Sequence, residues 1–392
     1  MAPNFAFVGL LIGCSSAVEL KSSSHDFDFD TWMVSHGRDY KKGSAEYQHR
    51  LGLFISRMEK AKQQNAKAQR LWTAGPGPLW DKSQEEVKQA KGWFGSATST
   101  KGQRSPRRLR SGMFLNQNSN TSLPADFNWN HLTVLQNSID QGGCGSCWAV
   151  AAALVLDAHA EIYHERQTSF SAQELVDCVE NKKHCGGTGG CEGATVELAM
   201  EYAMNRGLHT EDKVPYLGLD TSCKKVSLLG FANNDLEAAG TRKASSDAAG
   251  NLLYGMMAWE KLPENEYQPL MNALYNLGPV AVSVSADNWD VYSKGIFDSC
   301  SQDAIIDHAV TLIGYGEDGG HKYWTLMNSW GNSFGESGKI RLLRVDTEHD
   351  FCGTDSQPEV GTGCDGGPSS VRVCGHCGIL YDNVVPHFNG TK

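Results

Sequence analysis

Gln141-Gly-Gly-Cys-Gly-Ser-Cys-Trp148 runs directly into Ala149-Val-Ala-Ala-Ala-Leu-Val-Leu156. The second stretch is rich in helix formers and free of Gly and Pro, so the pattern predicts a helix over Ala149 to Tyr163. Cys147 then falls in its first turn. The unsatisfied N–H groups and the dipole at that end favour an anion, which lowers a thiol pKa. A thiolate is the nucleophilic form of cysteine. Glycines at 142, 143 and 145 let the chain turn tightly ahead of the helix and let a substrate approach.

A thiolate needs a partner to move a proton to a leaving group, and that partner needs an orienting group. Asp307-His308-Ala309-Val310 carries an imidazole into an apolar, strand-like run. Asn328-Ser-Trp-Gly331 ends another such run. An Asn side chain can fix an imidazole tautomer so that the other ring nitrogen faces the thiol.

Around these motifs the composition changes twice. Residues 27 to 71 are charged and helix-prone, with Tyr47, Leu51, Phe54 and Met58 on one helical stripe. Gly75-Pro-Gly-Pro78 breaks the pattern before a short charged piece from Trp80 to Phe94. A linker-like stretch, 96–117, carries Lys101, Arg104, Arg107, Arg108 and Arg110, and reads as exposed and open to processing. Beyond Leu123, Trp, Cys and Gly become frequent. Strand signals follow at Val280 to Val284, Ala309 to Ile313, Tyr323 to Met327 and Lys339 to Leu343. An α+β fold is expected, with a helical first lobe and a strand-rich second lobe.

The chain of 392 residues carries a formal charge of −10, which argues against nucleic acid as a partner. Phe5 to Gly13 is an apolar run too short to span a bilayer. With the small residues that follow, it reads as a signal peptide over 1–17 and predicts entry to the secretory pathway. Twelve cysteines then suggest disulfides.

The Cys144-Gly-Ser-Cys147-Trp148 motif, followed by separated His and Asn motifs, resembles the papain and cathepsin L group of cysteine proteases. The resemblance implies a two-lobe fold, a helical left lobe and an antiparallel, barrel-like right lobe with the active-site cleft between, preceded by a helical pro-domain. It implies a secreted or lysosomal-type endopeptidase made as an inactive precursor and acting through an acyl-enzyme. Cys147 would be the nucleophile, His308 the acid and base, Asn328 the orienter and Gln141 an oxyanion donor. Trp330, Gly193, Ala194, Asp307 and Ala309 would bind substrate. The family's Gly-Cys-x-Gly-Gly loop is Gly190-Cys191-Glu192-Gly193-Ala194 here, with Ala in the last place. His308 lies 161 residues after Cys147, longer than usual, and the extra length is assigned to a surface insertion at 224–276.

The resemblance divides the chain into a pro-domain at 25–95, a peptidase domain at 118–360 and a Cys-rich extension at 361–392. Glu46, Arg50, Phe54 and Asn65 fall on the spacing of an inhibitory pro-helix, whereas Arg57 and Ala61 depart from it. Acid would loosen such a segment by protonating carboxylates that pair in the complex. The implied disulfides are Cys144–Cys191, Cys178–Cys223 and Cys300–Cys352, leaving Cys185, Cys364, Cys374 and Cys377 with three possible pairings. Cys374-Gly-His-Cys377 could also form a metal knuckle, but a disulfide is the favoured use and no metal or cofactor is expected. Expected partners are peptide substrates and the chain's own pro-segment, acting in a monomer with no membrane span. The destination is a lysosome, a vacuole or the extracellular space. Rival readings are a thiol–disulfide oxidoreductase using Cys144 and Cys147, which leaves His308 and Asn328 without a role, and an inactive papain-like binding protein. Asn120-Thr-Ser122 and Asn389-Gly-Thr391 are glycosylation patterns.

Overall fold

The computed structural model describes residues 28–92, 123–223, 256–347 and 350–390. The expected signal peptide, the basic linker, Asn120 and the greater part of the expected insertion lie outside these residues.

The chain begins with helices α1 (Phe29–Ser35) and α2 (Ala45–Asn65), capped by Asp28 and Ser44. The apolar stripe of α2 turns inward, with Phe54 packing on Phe29, Trp32 and Trp80. Strand β1 (Trp72–Ala74) and helix α3 (Gln84–Gln89) follow, and Ser83 and Glu86 form a capping box at the start of α3. Arg50 reaches from α2 to the Glu86 carboxylate at 2.5 and 2.9 Å, tying the two helices.

After β2 (Phe127–Asn128) come α4 (Cys147–His164), α5 (Ala172–Cys178) and α6 (Val196–Arg206). Helix α4 is apolar nearly all round, so it runs through the middle of its lobe. Its inner residues pack with Leu175, Met200 and Leu208 in one core. The second core belongs to a sheet built from β3 (Met256–Lys261), β4 (Val280–Val284), β5 (Tyr292–Phe297), β6 (His308–Asp318), β7 (His321–Met327) and β8 (Lys339–Leu343), with α7 (Tyr267–Asn276) packed on it. A hairpin of β9 (Cys352–Asp355) and β10 (Val371–Cys374) precedes the last strand, β11 (Asn383–Phe388). The strand order is β1-β5-β8-β7-β6-β4-β11-β3, with β2 beside β6. Every pairing in this sheet is antiparallel except β5 with β8. This is the α+β two-lobe fold preceded by a helical unit.

Three expectations need correction. Residues 361–392 were set apart as an extension, but β11 is fully buried between β4 and β3 and is part of the sheet. Residues 256–276, assigned to a surface insertion, form an edge strand and a helix whose Leu270, Met271 and Leu274 are buried. Cys300 does not pair with Cys352. Cys352 and Cys374 lie directly opposite each other on β9 and β10, so they bridge. Cys300 instead joins Cys377. The remaining bridges are Cys144–Cys191, Cys178–Cys223 and Cys185–Cys364, and so Cys374 and Cys377 serve disulfides rather than a metal knuckle.

The N-terminal unit is held to the sheet in two ways. Strand β1 extends the sheet at β5, with Ile296 N donating to Leu71 O and Gly75 N to Val291 O. Arg57, the departure noted in α2, donates to Asp290 at 2.8 Å and to the Trp80 carbonyl at 3.1 Å. That ion pair is nearly dry, with side chains 4% and 10% exposed. Removing one member of a buried pair strands the other charge and costs about 3–5 kcal/mol. Asp290→Ala should therefore speed amide exchange in β1 by about a hundredfold to a few thousandfold, measured by hydrogen exchange, and leave β6 unchanged.

Burial alone would raise the Glu86 pKa, but hydrogen bonds from Arg50 and the Ser83 backbone, with the Arg50 charge, hold it at about 2 against an ordinary 4.5. A lowered folded value means stabilisation that is complete above the unfolded pKa and fades as pH falls through the folded one. Hence the N-terminal unit should lose stability between about pH 4.5 and pH 2. Glu86→Gln should flatten that part of a denaturation-versus-pH curve.

Candidate active site

The cleft lies where the start of α4 meets the start of β6. Ser146 precedes α4 and its carbonyl accepts from Ala149 N and Val150 N, closing the first turn and presenting Cys147 at the helix end. The disulfide from Cys144 to Cys191 and the bond from Gly145 N to Cys191 O pin the loop before it. Cys144 is thereby tied to Cys191, and Cys147 is the free cysteine among the described residues. The pair the oxidoreductase reading requires is therefore not a redox couple in this fold.

Opposite, β4 pairs with β6 in the register Val284 to His308 and Ser283 to Ala309, which fixes the first residues of β6 against the helix. Ala309 N donates to the Cys147 sulfur at 3.4 Å. The neighbouring His308 is buried, and its Nε2 shares a hydrogen bond of 2.7 Å with Asn328 Oδ1. The same oxygen accepts from Ser329 N at 2.8 Å, so the Asn328 amide is fixed with oxygen toward the ring and Nε2 must be the donor. Nδ1 is left as the acceptor nitrogen and has no protein partner. Trp330 stacks on the imidazole with ring centroids 5.1 Å apart. Gln141 is wholly buried. Its Nε2 donates to Cys144 O at 2.8 Å, and its Oε1 accepts from Ser329 Oγ. An amide nitrogen carries two hydrogens, so one remains for a ligand.

A cavity beside the sulfur brings together Gly193, Ala194, Asp307 and Ala309, all named from the sequence, with Thr195, Val196, Ser283, Ile306 and Val360. Trp330 lies outside that cavity, against the imidazole. Thr195, Val196, Ser283, Ile306 and Val360 were not singled out beforehand. Nothing in their types marks them, and only folding gathers them.

The N-terminal unit fills the rest of the cleft. Lys91 and Gly92 follow α3 and lie on the sulfur, whose thiol donates to Lys91 O at 3.6 Å. Trp330 Nε1 donates to Ala90 O at 3.1 Å. Lys91 Nζ donates to Asp287 at 2.9 Å and Asp307 at 3.1 Å, so a lysine only 6% exposed is charge-compensated. A Cβ on Gly193, which has φ +87°, would lie 2.5 Å from Gly92 O, so glycine alone lets the two backbones touch.

Burial governs the acid–base state of the site. A helix end by itself lowers a thiol pKa. Burial instead pushes Cys147 up to about 12, against the lowering effect of N–H groups of Ala309 and Trp148. Burial also lowers His308 to about 4, although its bond to Asn328 acts the other way. At neutral pH both groups are uncharged beneath the N-terminal unit.

A cysteine at a helix end, a fixed imidazole and a buried amide donor in a two-lobe cleft define a thiol-dependent hydrolase. The model of the papain family cysteine proteases matches residues 123–362, and that of the cathepsin propeptide inhibitor domain matches residues 29–87. A senescence-specific cysteine protease, SAG12, from Arabidopsis thaliana is 30% identical over 82% of this chain and 86% of its own length. Cathepsin S of Bos taurus is 28% identical over 90% of this chain and 97% of its own. Procathepsin L 3 from the Tenebrio molitor larval midgut shares the fold, with a TM-score of 0.65, 24% identity, and coverage of 91% of this chain and 97% of that one. The chain belongs to the papain family of cysteine proteases. It is a cysteine endopeptidase made as a zymogen, and its N-terminal unit is an intramolecular inhibitor.

The buried, neutral thiol predicts chemical protection. Iodoacetamide at neutral pH should leave Cys147 unmodified in the intact zymogen and alkylate it once the N-terminal unit is removed, as read by peptide mass mapping.

Proposed function

We propose that peptide bonds are hydrolysed here by Cys147 as nucleophile, His308 as acid and base, Asn328 as orienter and Gln141 as oxyanion donor. The observation that carries this reading is the Cys147 sulfur hydrogen-bonded to the residue next to His308, whose ring Asn328 fixes with Nδ1 unpartnered. Removal of Lys91 and Gly92 lets water in and removes the burial that keeps both groups neutral. The thiol proton then passes to Nδ1, and the thiolate attacks the substrate carbonyl carbon. As the C–S bond forms, the oxygen takes the negative charge, and the second Gln141 Nε2 hydrogen with the Cys147 N–H stabilises it. His308 returns the proton to the leaving amine as the C–N bond breaks. Water, deprotonated by the same imidazole, then hydrolyses the thioester and regenerates the thiol.

Trp330 shields the imidazole, and Gly193, Ala194, Asp307 and Ala309 contact the substrate. The cavity, with Ala194, Val196, Ile306, Ala309 and Val360 among its lining residues, takes the side chain two residues before the scissile bond, of the size of Leu, Val or Phe. The enzyme works as a monomer in the secretory pathway, in a lysosome, a vacuole or outside the cell. Five disulfides among the described residues support an oxidising compartment. Among the described residues no helix is long and apolar enough to cross a membrane.

Active-site-titrated mature enzyme and a fluorogenic peptide test the assignment. Cys147→Ala and His308→Ala should abolish turnover. Gln141→Ala should lower kcat by about 10²–10³ with KM little changed. Full turnover by the Cys147 variant would end this reading.

A further inference from the structure

The cavity beside Cys147 has one wall from each lobe. Gly186, Ala194, Thr195 and Val196 come from the helical side, and Ile306, Ala309, Val360 and Gly361 from the sheet side. At one end the walls meet. A Cβ on Gly186, which has φ +63°, would lie 2.5 Å from Gly361 O and 3.1 Å from Ala194 O. The next residue along, Cys185, is joined to Cys364, spanning 179 residues of sequence and both lobes. Hydrogen bonds flank the bridge: Gly186 N to Gly363 O and Asp365 N to Lys183 O, both 2.8 Å, and His184 Nδ1 with Asp365 at 2.9 Å.

The segments so joined lie in loops, apart from a short turn at Pro358–Val360. Loop segments held by a few backbone bonds have low local stability and can move apart. A covalent tie removes that freedom. The pocket end it fixes is backbone, Gly186 against Gly361, with no side chain that could swing aside. We propose that the Cys185–Cys364 bridge is a clasp across the cleft that sets the width of this pocket and so selects the side chains accepted there. The proposal rests on the reading of the cavity as the site for the substrate residue two before the scissile bond. With the clasp closed, compact side chains such as Val are favoured over Phe. With it open, the wall at Val360 to Gly363 recedes and the preference levels.

The test uses full-length zymogen processed to mature enzyme, wild type against Cys185→Ser/Cys364→Ser, both titrated for active sites with iodoacetamide. Two fluorogenic peptides differ only in Val or Phe at that position. The wild-type Val-to-Phe ratio of kcat/KM should fall about tenfold in the variant, the scale on which apolar pockets discriminate by one or two methylenes. An unchanged ratio, with or without a loss of active sites, overturns the clasp and leaves a merely structural bridge. If the variant does not fold, native wild-type enzyme reduced in steps, with the bridge followed by mass spectrometry, yields the same ratio before and after opening. Absence of alkylation-sensitive cleavage by the wild type would sink the underlying catalytic reading instead, and is told apart because it needs no variant.

Discussion

The contact of α4 with the first residues of β6 constrains the rest of the molecule. It joins two lobes with separate cores, one built around a largely apolar helix and the other around a sheet. The bond from Ala309 N to the Cys147 sulfur crosses that contact, so the thiol and the imidazole keep their relation only while both lobes keep theirs. Packing fixes each side. Helix α4 is buried along most of its length, and β6 is flanked by β4 and β7. The order of a densely packed interior is thereby passed to two reactive atoms.

Much of this was legible in the sequence because it is local. Val280–Val284 and Lys339–Leu343 are the observed limits of β4 and β8, and the helix expected from Ala149 starts only two residues earlier, at Cys147. Apolar runs bounded by Gly, Pro and Asn speak for themselves. Strand β11 did not, since Asn383-Val-Val-Pro-His-Phe388 carries a proline, which argues against a central strand. The fold accommodates Pro386 because β4 pairs only with Asn383 and Val384, so the missing N–H is not called on by that neighbour. A resemblance whose family match stops at residue 362 could not place this strand.

Cys144–Cys191 and Cys178–Cys223 pair as the resemblance implied, but the partner of Cys300 was illegible for a related reason. Cys300–Cys352 is reasonable if the chain ends near residue 360, but the hairpin of β9 and β10 brings another cysteine closer. Once Cys374 faces Cys352 in register, Cys300 is left to Cys377, at the turn whose carbonyl accepts from Ser285 N. Register is a long-range property, and a single residue's slip changes every cross-strand pair.

Latency in this zymogen is as much a matter of solvent as of obstruction. Lys91 and Gly92 could block a substrate without touching the acid–base state of the site, but they lie against the sulfur and close it from water. Desolvation disfavours the ionised form of either group, and both shifts run that way: the thiol up, the imidazole down. The N–H groups aimed at the sulfur are present throughout, yet they cannot hold a thiolate with no water and no charged partner. The helix end therefore favours the nucleophile only in the open enzyme, where an imidazolium can sit beside it. Latency thus acts through the burial of one pair of atoms, the Cys147 sulfur and the His308 ring, as well as through obstruction of the cleft.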